Sequence, residues 1–322
     1  MSSILPNHGY QILSEIDSGK FSHCYLCKSL KYETEFVCKV IHALDKELKE
    51  NYRATFKQEL TVLSNFIHPN IIGVYDAFEE GDDYVLVLEY CENGTLQDKV
   101  SNNATLEPEQ VINYAKQILS ALSYMHDKNV AHHDVKPSNI FIDKFGRIKL
   151  ADFGIAQSFA ENQSKSCIFG GTVAFMAPEQ FKKLPYSAFQ SDIWAFGVTL
   201  YTIAFGRLPF FGHNVHEVIS NICTGVYSLP SHCPKELRTV FQHSLDPNPE
   251  TRWTAKKLLE SLNMSTSYST LVKRPKISNQ KSVPNSLWLQ MPNLAAPPTQ
   301  SNPKTKPTLV IPRRTRRNSG CI

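Results

Sequence analysis

A lysine inside a strand and a glutamate on the apolar side of a helix constrain this chain more than any other feature. The run Phe36-Val37-Cys38-Lys39-Val40-Ile41 is apolar apart from Lys39 and reads as a strand. Downstream, Leu48, Tyr52, Phe56, Leu60, Leu63 and Ile67 recur at spacings of four and three, the period of an amphipathic helix. Glu59 follows Phe56 by three and precedes Leu63 by four, so it lies on that helix's apolar stripe. An isolated charge in an apolar layer is very costly, and each of these two needs a partner of opposite sign. Pairing Lys39 with Glu59 satisfies both. It also requires the helix to pack against the sheet.

Other runs near 10–16, 24–29, 74–78 and 84–88 are rich in β-branched and aromatic residues between turn signals, and they read as strands. From Thr95 to about Leu262 the pattern turns helical, most strongly over 111–126 and 193–205. The expectation is an α+β chain in two lobes: a small β-rich lobe, 9–91, and a larger helical lobe, 92–262. Beyond that the composition breaks. Residues 261–322 hold ten Lys/Arg, no Asp/Glu and eight of the 19 prolines, leaving 24 basic against 30 acidic residues in the preceding 260. Such a stretch cannot bury enough apolar surface to offset its ordering entropy, so 263–322 reads as a flexible basic tail. Its end, Arg313-Arg314-Thr315-Arg316-Arg317-Asn318-Ser319, suits an acidic partner such as a protein patch or regulatory subunit, acidic lipid or nucleic acid, though a merely solubilising role fits the composition too.

Several classes are excluded. No apolar run approaches the 20 or so residues of a membrane span, and the first residues lack a signal peptide's charged and apolar regions. Eight scattered cysteines read as reduced thiols, which points to a cytoplasmic protein with access to the nucleus. Cys24 and Cys27 invite a zinc reading, but no second pair follows, and side chains three apart on a strand face opposite ways. His68-Pro69-Asn70-Ile71 reads as a structural turn.

One hairpin carries chemistry. Ile140-Phe141-Ile142 and Ile148-Lys149-Leu150 flank the turn Asp143-Lys144-Phe145-Gly146. If they pair antiparallel, the open end brings Asn139 beside Asp152. A carboxylate and an amide oxygen suit a hard cation such as Mg²⁺, which favours oxygen ligands and keeps substrate phosphates among them. Asp134 and Lys136 lie just upstream.

These residues, read in order, resemble the eukaryotic protein kinases. The matches are His132-His133-Asp134-Val135-Lys136-Pro137-Ser138-Asn139, Asp152-Phe153-Gly154 and Ala177-Pro178-Glu179, with Lys39, Glu59, Glu89-Tyr90-Cys91, Asp192-Ile193-Trp194-Ala195-Phe196-Gly197 and Arg252 in the family's order. The resemblance covers about Gly9 to Leu262 and implies the bilobal kinase fold. It implies that ATP and Mg²⁺ are used, with Asn139 and Asp152 on the metal and Lys39, fixed by Glu59, on the α- and β-phosphates. By the same likeness Asp134 takes the proton of a substrate hydroxyl and Lys136 neutralises the moving phosphoryl group. Ile16, Gly19, Cys24, Val37, Leu88, Glu89, Cys91 and Phe141 would line the nucleotide site, and Glu179 with Arg252 would form a buried structural pair. Lys136 and Gly171-Thr172 resemble the serine/threonine branch, so the implied partners are proteins bearing Ser or Thr. The stretch 170–179 looks closest to calcium/calmodulin-dependent kinase kinases, and 192–210 to those and the liver kinase B group.

The chain also departs from the family pattern. Of three usual glycines over the phosphates only Gly19 stands, with Asp17 and Ser22 in the outer places. Cys24, Val37 and Phe141 replace valine, alanine and leucine around adenine. His133 replaces an arginine that binds a phosphorylated activation segment, and the usual acceptor position holds Ile168. No phosphorylation is expected to be needed there, although Ser158, Ser164 and Ser166 remain candidates, as does Ser319 in the tail. The alternative to an enzyme is a pseudokinase that uses the fold as a scaffold, but Lys39, Asp134, Asn139 and Asp152 are all present.

Overall fold

The structure is a computed structural model, and it describes residues 4–18, 22–42, 49–101, 106–154, 156–159, 165–166, 172–182 and 184–269. A short helix α1 (Ile4–Asn7) leads into strands β1 (Tyr10–Ser18), β2 (Ser22–Ser29) and β3 (Glu35–His42), then helix α2 (Lys49–Ser64) and strands β4 (Val74–Glu80) and β5 (Asp83–Glu89). The five strands form one antiparallel sheet in the order β1-β2-β3-β5-β4. Cys27, Cys38, Val40, Val85 and Val87 are sealed on one face with Tyr10 and Tyr25, and α1 closes that layer with Ile4 and Leu5. On the other face Phe56 of α2 packs with Ile41, Tyr84 and Leu86. The alternation along β3 therefore turns Lys39 toward α2 while Cys38 and Val40 face away.

The larger lobe contains α3 (Leu96–Ser101), α4 (Pro108–Asp127), the short strand β6 (Val130–Ala131), and the hairpin β7 (Ile140–Ile142) with β8 (Ile148–Leu150). Two-residue strands β9 (Gln157–Ser158), β10 (Lys165–Ser166) and β11 (Tyr186–Ser187) precede α5 (Ala188–Phe205), α6 (Val215–Thr224), α7 (Lys235–Ser244) and α8 (Ala255–Ser269). Helix α5 is buried around almost its whole circumference, and such a helix belongs at the centre of a lobe. Ser187 caps its start and Gly206, at φ 68°, ends it. Gly197 lets α5 approach α7 closely, because a Cβ there would lie 2.5 Å from Ser244 Oγ. No helix among the described residues is long and apolar enough to cross a membrane.

Three boundaries differ from the sequence expectation. The small lobe begins before Gly9, since α1 contributes Ile4 and Leu5 to its core. Helix α8 runs on past Leu262 to Ser269, so 263–269 extend the helical lobe rather than opening the tail. Helix α2 stops at Ser64, leaving Ile67 outside it and 81 % exposed. Ser64 Oγ and Asn65 Nδ2 both donate to the Thr61 carbonyl, satisfying the helix end there. Leu48, Gly19, Ser164, Ile168, Gly171, Ser319 and the side chain of Tyr52 lie outside the described residues.

Candidate active site between the lobes

Lys39 reaches Glu59 at 3.1 and 3.0 Å and faces Asp152 Oδ1 at 3.6 Å. Glu59 is almost fully buried, whereas the Asp152 side chain is 48 % exposed. One end of this triad is thus sealed and the other opens to solvent. Enclosure disfavours the Lys39 charge, yet Glu59 and Asp152 more than compensate and raise its pKa above the usual lysine value. Enclosure likewise disfavours the Asp152 carboxylate, but Lys39, His132 and Lys136 outweigh it and hold that group below the usual range.

The hairpin β7–β8 pairs Ile140 with Leu150, and the Ala151 amide donates to the Asn139 carbonyl at 2.9 Å. This brings Asn139 and Asp152 to one strand end, as the sequence implied. Asp152 sits at φ 65°, a left-handed conformation that aspartate tolerates. The following Phe153 is wholly buried, with its ring 4.9 Å from His132 and 6.0 Å from Phe66. Burying Phe153 on one side commits the adjacent carboxylate to the other.

Asp134 is held from two directions. Lys136 Nζ lies 2.7 Å from its Oδ2, and Asn139 Nδ2 donates to that oxygen at 2.9 Å and to the Asp134 carbonyl at 3.0 Å. Asn139 therefore spends its amide nitrogen on Asp134 and keeps its carbonyl oxygen for another use. Lys136 also reaches Thr172 Oγ1 at 3.4 Å. The loop beneath is fixed by Asp192 on α5, which accepts the backbone N–H groups of His132 and His133 at 2.8 Å each and bonds His126 at 3.0 Å. The sequence contained Asp192 without revealing this role, because nothing in its spacing says that it faces a loop 60 residues upstream.

Around the expected nucleotide pocket, Cys24 pairs with Lys39, Leu26 with Val37, and Val37 with Leu88 in the sheet register. Burial pushes the Cys24 thiol up to about 11 and the Cys91 thiol up to about 12, so both are neutral apolar walls at pH 7. Phe141 is half-buried on β7 and Ile16 is 48 % exposed on β1. Asp17 bends back to accept the Ser18 amide at 2.9 Å. The Glu89 side chain, absent from the sequence reading, binds Lys149 at 2.8 Å and the Gly73 amide at 3.2 Å. It ties the chain between the lobes to β8.

The remaining expectations divide. Glu179 and Arg252 form a sealed pair at 2.7 Å. Cys27 is buried in the layer under α1, whereas Cys24 pairs with Lys39 in register and shares that residue's face of the sheet. His68 bonds Ser120 and accepts the Asn70 amide, a structural turn. Ser158 is exposed, but Ser166 is buried, with only 1 % of its surface accessible and its β10 segment paired to β11, which removes it as a modification site in this conformation.

Over residues 10–263 the chain matches the family described as Protein kinase domain. A probable myosin light chain kinase of Dictyostelium discoideum is 34% identical over 283 residues, covering 84% of this chain and 58% of that protein. CBL-interacting serine/threonine-protein kinase 12 of Arabidopsis thaliana is 31% identical, covering 78% of this chain and 52% of its own. The serine/threonine-protein kinase PrkC of Bacillus subtilis is 35% identical over 212 residues, 65% of this chain and 32% of its own. The chain spans about half the length of the first two of these relatives.

Proposed function

Because this chain belongs to the protein kinase domain family, we propose that it is an ATP- and Mg²⁺-dependent protein serine/threonine kinase. One observation carries the reading: Asp152 opens from a buried Lys39–Glu59 pair into the cleft beside an Asp134 that is held but not sealed. Asp152 and the spare carbonyl oxygen of Asn139 are the hard oxygen donors that Mg²⁺ prefers, and the metal would supply charge neutralisation on the phosphates. Lys39 binds phosphate oxygens in the orientation Glu59 sets. Cys24, Val37, Leu88 and Phe141 enclose the base, and the backbones of Glu89 and Cys91 offer its edge hydrogen bonds. Asp134 accepts the proton of the incoming hydroxyl, and Lys136 screens the charge that develops on the transferred group.

The substrate is a Ser or Thr on a protein, supported by Lys136 bonded to Thr172, which stands just before Ala177-Pro178-Glu179. The likeness of 170–179 and 192–210 to calcium/calmodulin-dependent kinase kinases and the liver kinase B group is the finer reading of substrate choice, and substrate profiling tests it. His133 is buried and burial lowers its pKa, so it is neutral at pH 7 and offers no cation to an activating phosphate. We place the protein in the cytoplasm, with access to the nucleus, on the free thiols of the six described cysteines.

The test is transfer from γ-labelled ATP to a degenerate Ser/Thr peptide library with Mg²⁺. The chain should label peptides, and Asp152→Asn should lower the rate at least about 10²-fold, the usual cost of removing one charge-stabilising group. A parent chain that transfers no label, or a variant as fast as the parent, overturns the assignment.

A further inference from the structure

A second cleft of about 300 Å³ lies behind the segment that joins the lobes. It opens on the face of β3 opposite Lys39, since Phe36, three residues away on the strand, lines it. Its walls are Tyr75, Tyr90 and Phe145 with Phe36, and Phe36 and Tyr75 meet edge to face at 4.9 Å. Tyr75 and Phe145 are 63 % and 70 % exposed, an unusual display of large aromatic surface.

The charges are as telling as the rings. Asp143 is neutralised by Arg147 at 2.7 Å, and Glu89 by Lys149 at 2.8 Å. Lys144 sits 5.4 Å over the Phe145 ring and Arg147 4.9 Å from the same ring. That leaves Glu35 and Glu92, both exposed on the rim, with no ion-pair partner among the described residues, against the one unpaired cation Lys144. Aromatic faces beside uncompensated carboxylates are the chemistry that receives a guanidinium or ammonium group.

We propose that this cleft docks the chain's own basic segment 309–317, Leu309-Val310-Ile311-Pro312-Arg313-Arg314-Thr315-Arg316-Arg317. Three apolar residues suit the aromatic walls and four arginines suit the rim carboxylates. The segment lies outside the described residues, joined to the end of α8 at Ser269 by residues 270–308. At about 3.3 Å per residue that connection reaches about 130 Å, far beyond the roughly 18 Å radius of gyration of a domain this size. The cleft's surplus of negative charge is small, which suits an intramolecular contact: tethering supplies an effective concentration of order millimolar, so a weak site fills. The small lobe and the helical lobe also carry the opposite net sign to the tail, 24 basic against 30 acidic residues up to 260. Occupancy would touch Tyr90 and Glu92, on either side of Cys91, and so report tail state to the nucleotide pocket.

The test uses the full chain with Phe145→p-benzoylphenylalanine, an exposed position outside the catalytic groups, irradiated and digested for mass spectrometry. Crosslinks should fall within 305–322, run as monomer on a denaturing gel, and keep their yield on tenfold dilution. Glu35→Lys with Glu92→Lys should cut that yield about tenfold, as two rim charge contacts become repulsions. Adding Arg313→Glu, Arg314→Glu, Arg316→Glu and Arg317→Glu to the same chain should restore it. Crosslinks elsewhere, none at all, a yield indifferent to both charge reversals, or a dimer band each overturn the proposal. A dimer band would assign the cleft to a second copy. The readout needs no phosphoryl transfer, so it stands apart from any failure of the kinase assignment.

Discussion

Two buried ion pairs of similar length play opposite parts in this molecule. Lys39–Glu59 closes at 3.0 Å and Glu179–Arg252 at 2.7 Å. Arg252 is wholly enclosed and every branch of its guanidinium is used: Nη1 and Nη2 on Glu179, Nη1 also on the Gln190 carbonyl, and Nε on the Asp246 carbonyl. Its cation also faces the Trp194 ring at 5.2 Å. Lys39, by contrast, stays 19 % exposed and shares its charge with an Asp152 that is half open to solvent. A closed network can only hold residues in place. An open one has charge left over for a ligand, and that difference marks one pair as architecture and the other as machinery.

The largest expected effect comes from breaking the closed pair. Arg252→Met leaves Glu179 buried without compensation, which costs about 3–5 kcal/mol. In a domain this size that lowers Tm by roughly 6–20 °C, readable by calorimetry. Replacing both partners, Arg252→Met with Glu179→Leu, should recover most of that loss and retain phosphoryl transfer. Next in size is the same pair of experiments on the open network. Lys39→Met alone strands Glu59 and should destabilise. Lys39→Met with Glu59→Leu should regain stability but leave transfer about 10²–10³-fold down, because the phosphate contact is gone. Recovery of transfer in that double variant would erase the distinction between the pairs. Of comparable size on the rate, Asp134→Asn should lower kcat about 10²–10⁴-fold with only a small fall in the urea midpoint, since the amide oxygen can still accept from Asn139 and Lys136 while Lys136 loses its counter-charge.

How much of this was legible beforehand follows the range of the interactions. Lys39 and Glu59 could be matched from periodicity alone, because each sat on an apolar stripe with no local partner. The Asn139–Asp152 convergence was legible too, being a property of one short hairpin. The stop of α2 at Ser64 was not, since the apolar period carries on to Ile67 while the side chains of Ser64 and Asn65 satisfy the helix end. Nor was the burial of Ser166, which depends on Tyr186 arriving 20 residues later to pair with it. Helix α1 spans four residues, too few to show a period, and only the sheet beneath Ile4 and Leu5 explains it. The Glu89–Lys149 tie joins residues 60 apart on separate lobes and leaves no pattern in either segment.

The smallest expected effect concerns His133, which lies on the loop leading from β6 to Asp134. It is buried, and burial holds its pKa below the ordinary histidine value against the pull of Asp192 and the nearby side-chain carbonyl of Gln157, with His132 and His126 adding to the depression. The folded state therefore binds fewer protons here than the unfolded chain, which takes one up as pH falls through about 6.5. The contribution to stability is complete above that value and is lost on acidification toward the depressed folded pKa, at no more than about 1.4 kcal/mol per pH unit. His68 and His243 are depressed in the same direction and supply a background slope. His133→Asn keeps the left-handed backbone, here φ 68°, without a titrating group. Urea midpoints measured from pH 7.5 to 5.5 should fall less steeply in that variant than in the parent. An identical slope would mean that His133 gains its proton in the folded state as readily as in water, and that the loop under Asp134 is open to solvent in the manner of Asp152 rather than closed in the manner of Arg252.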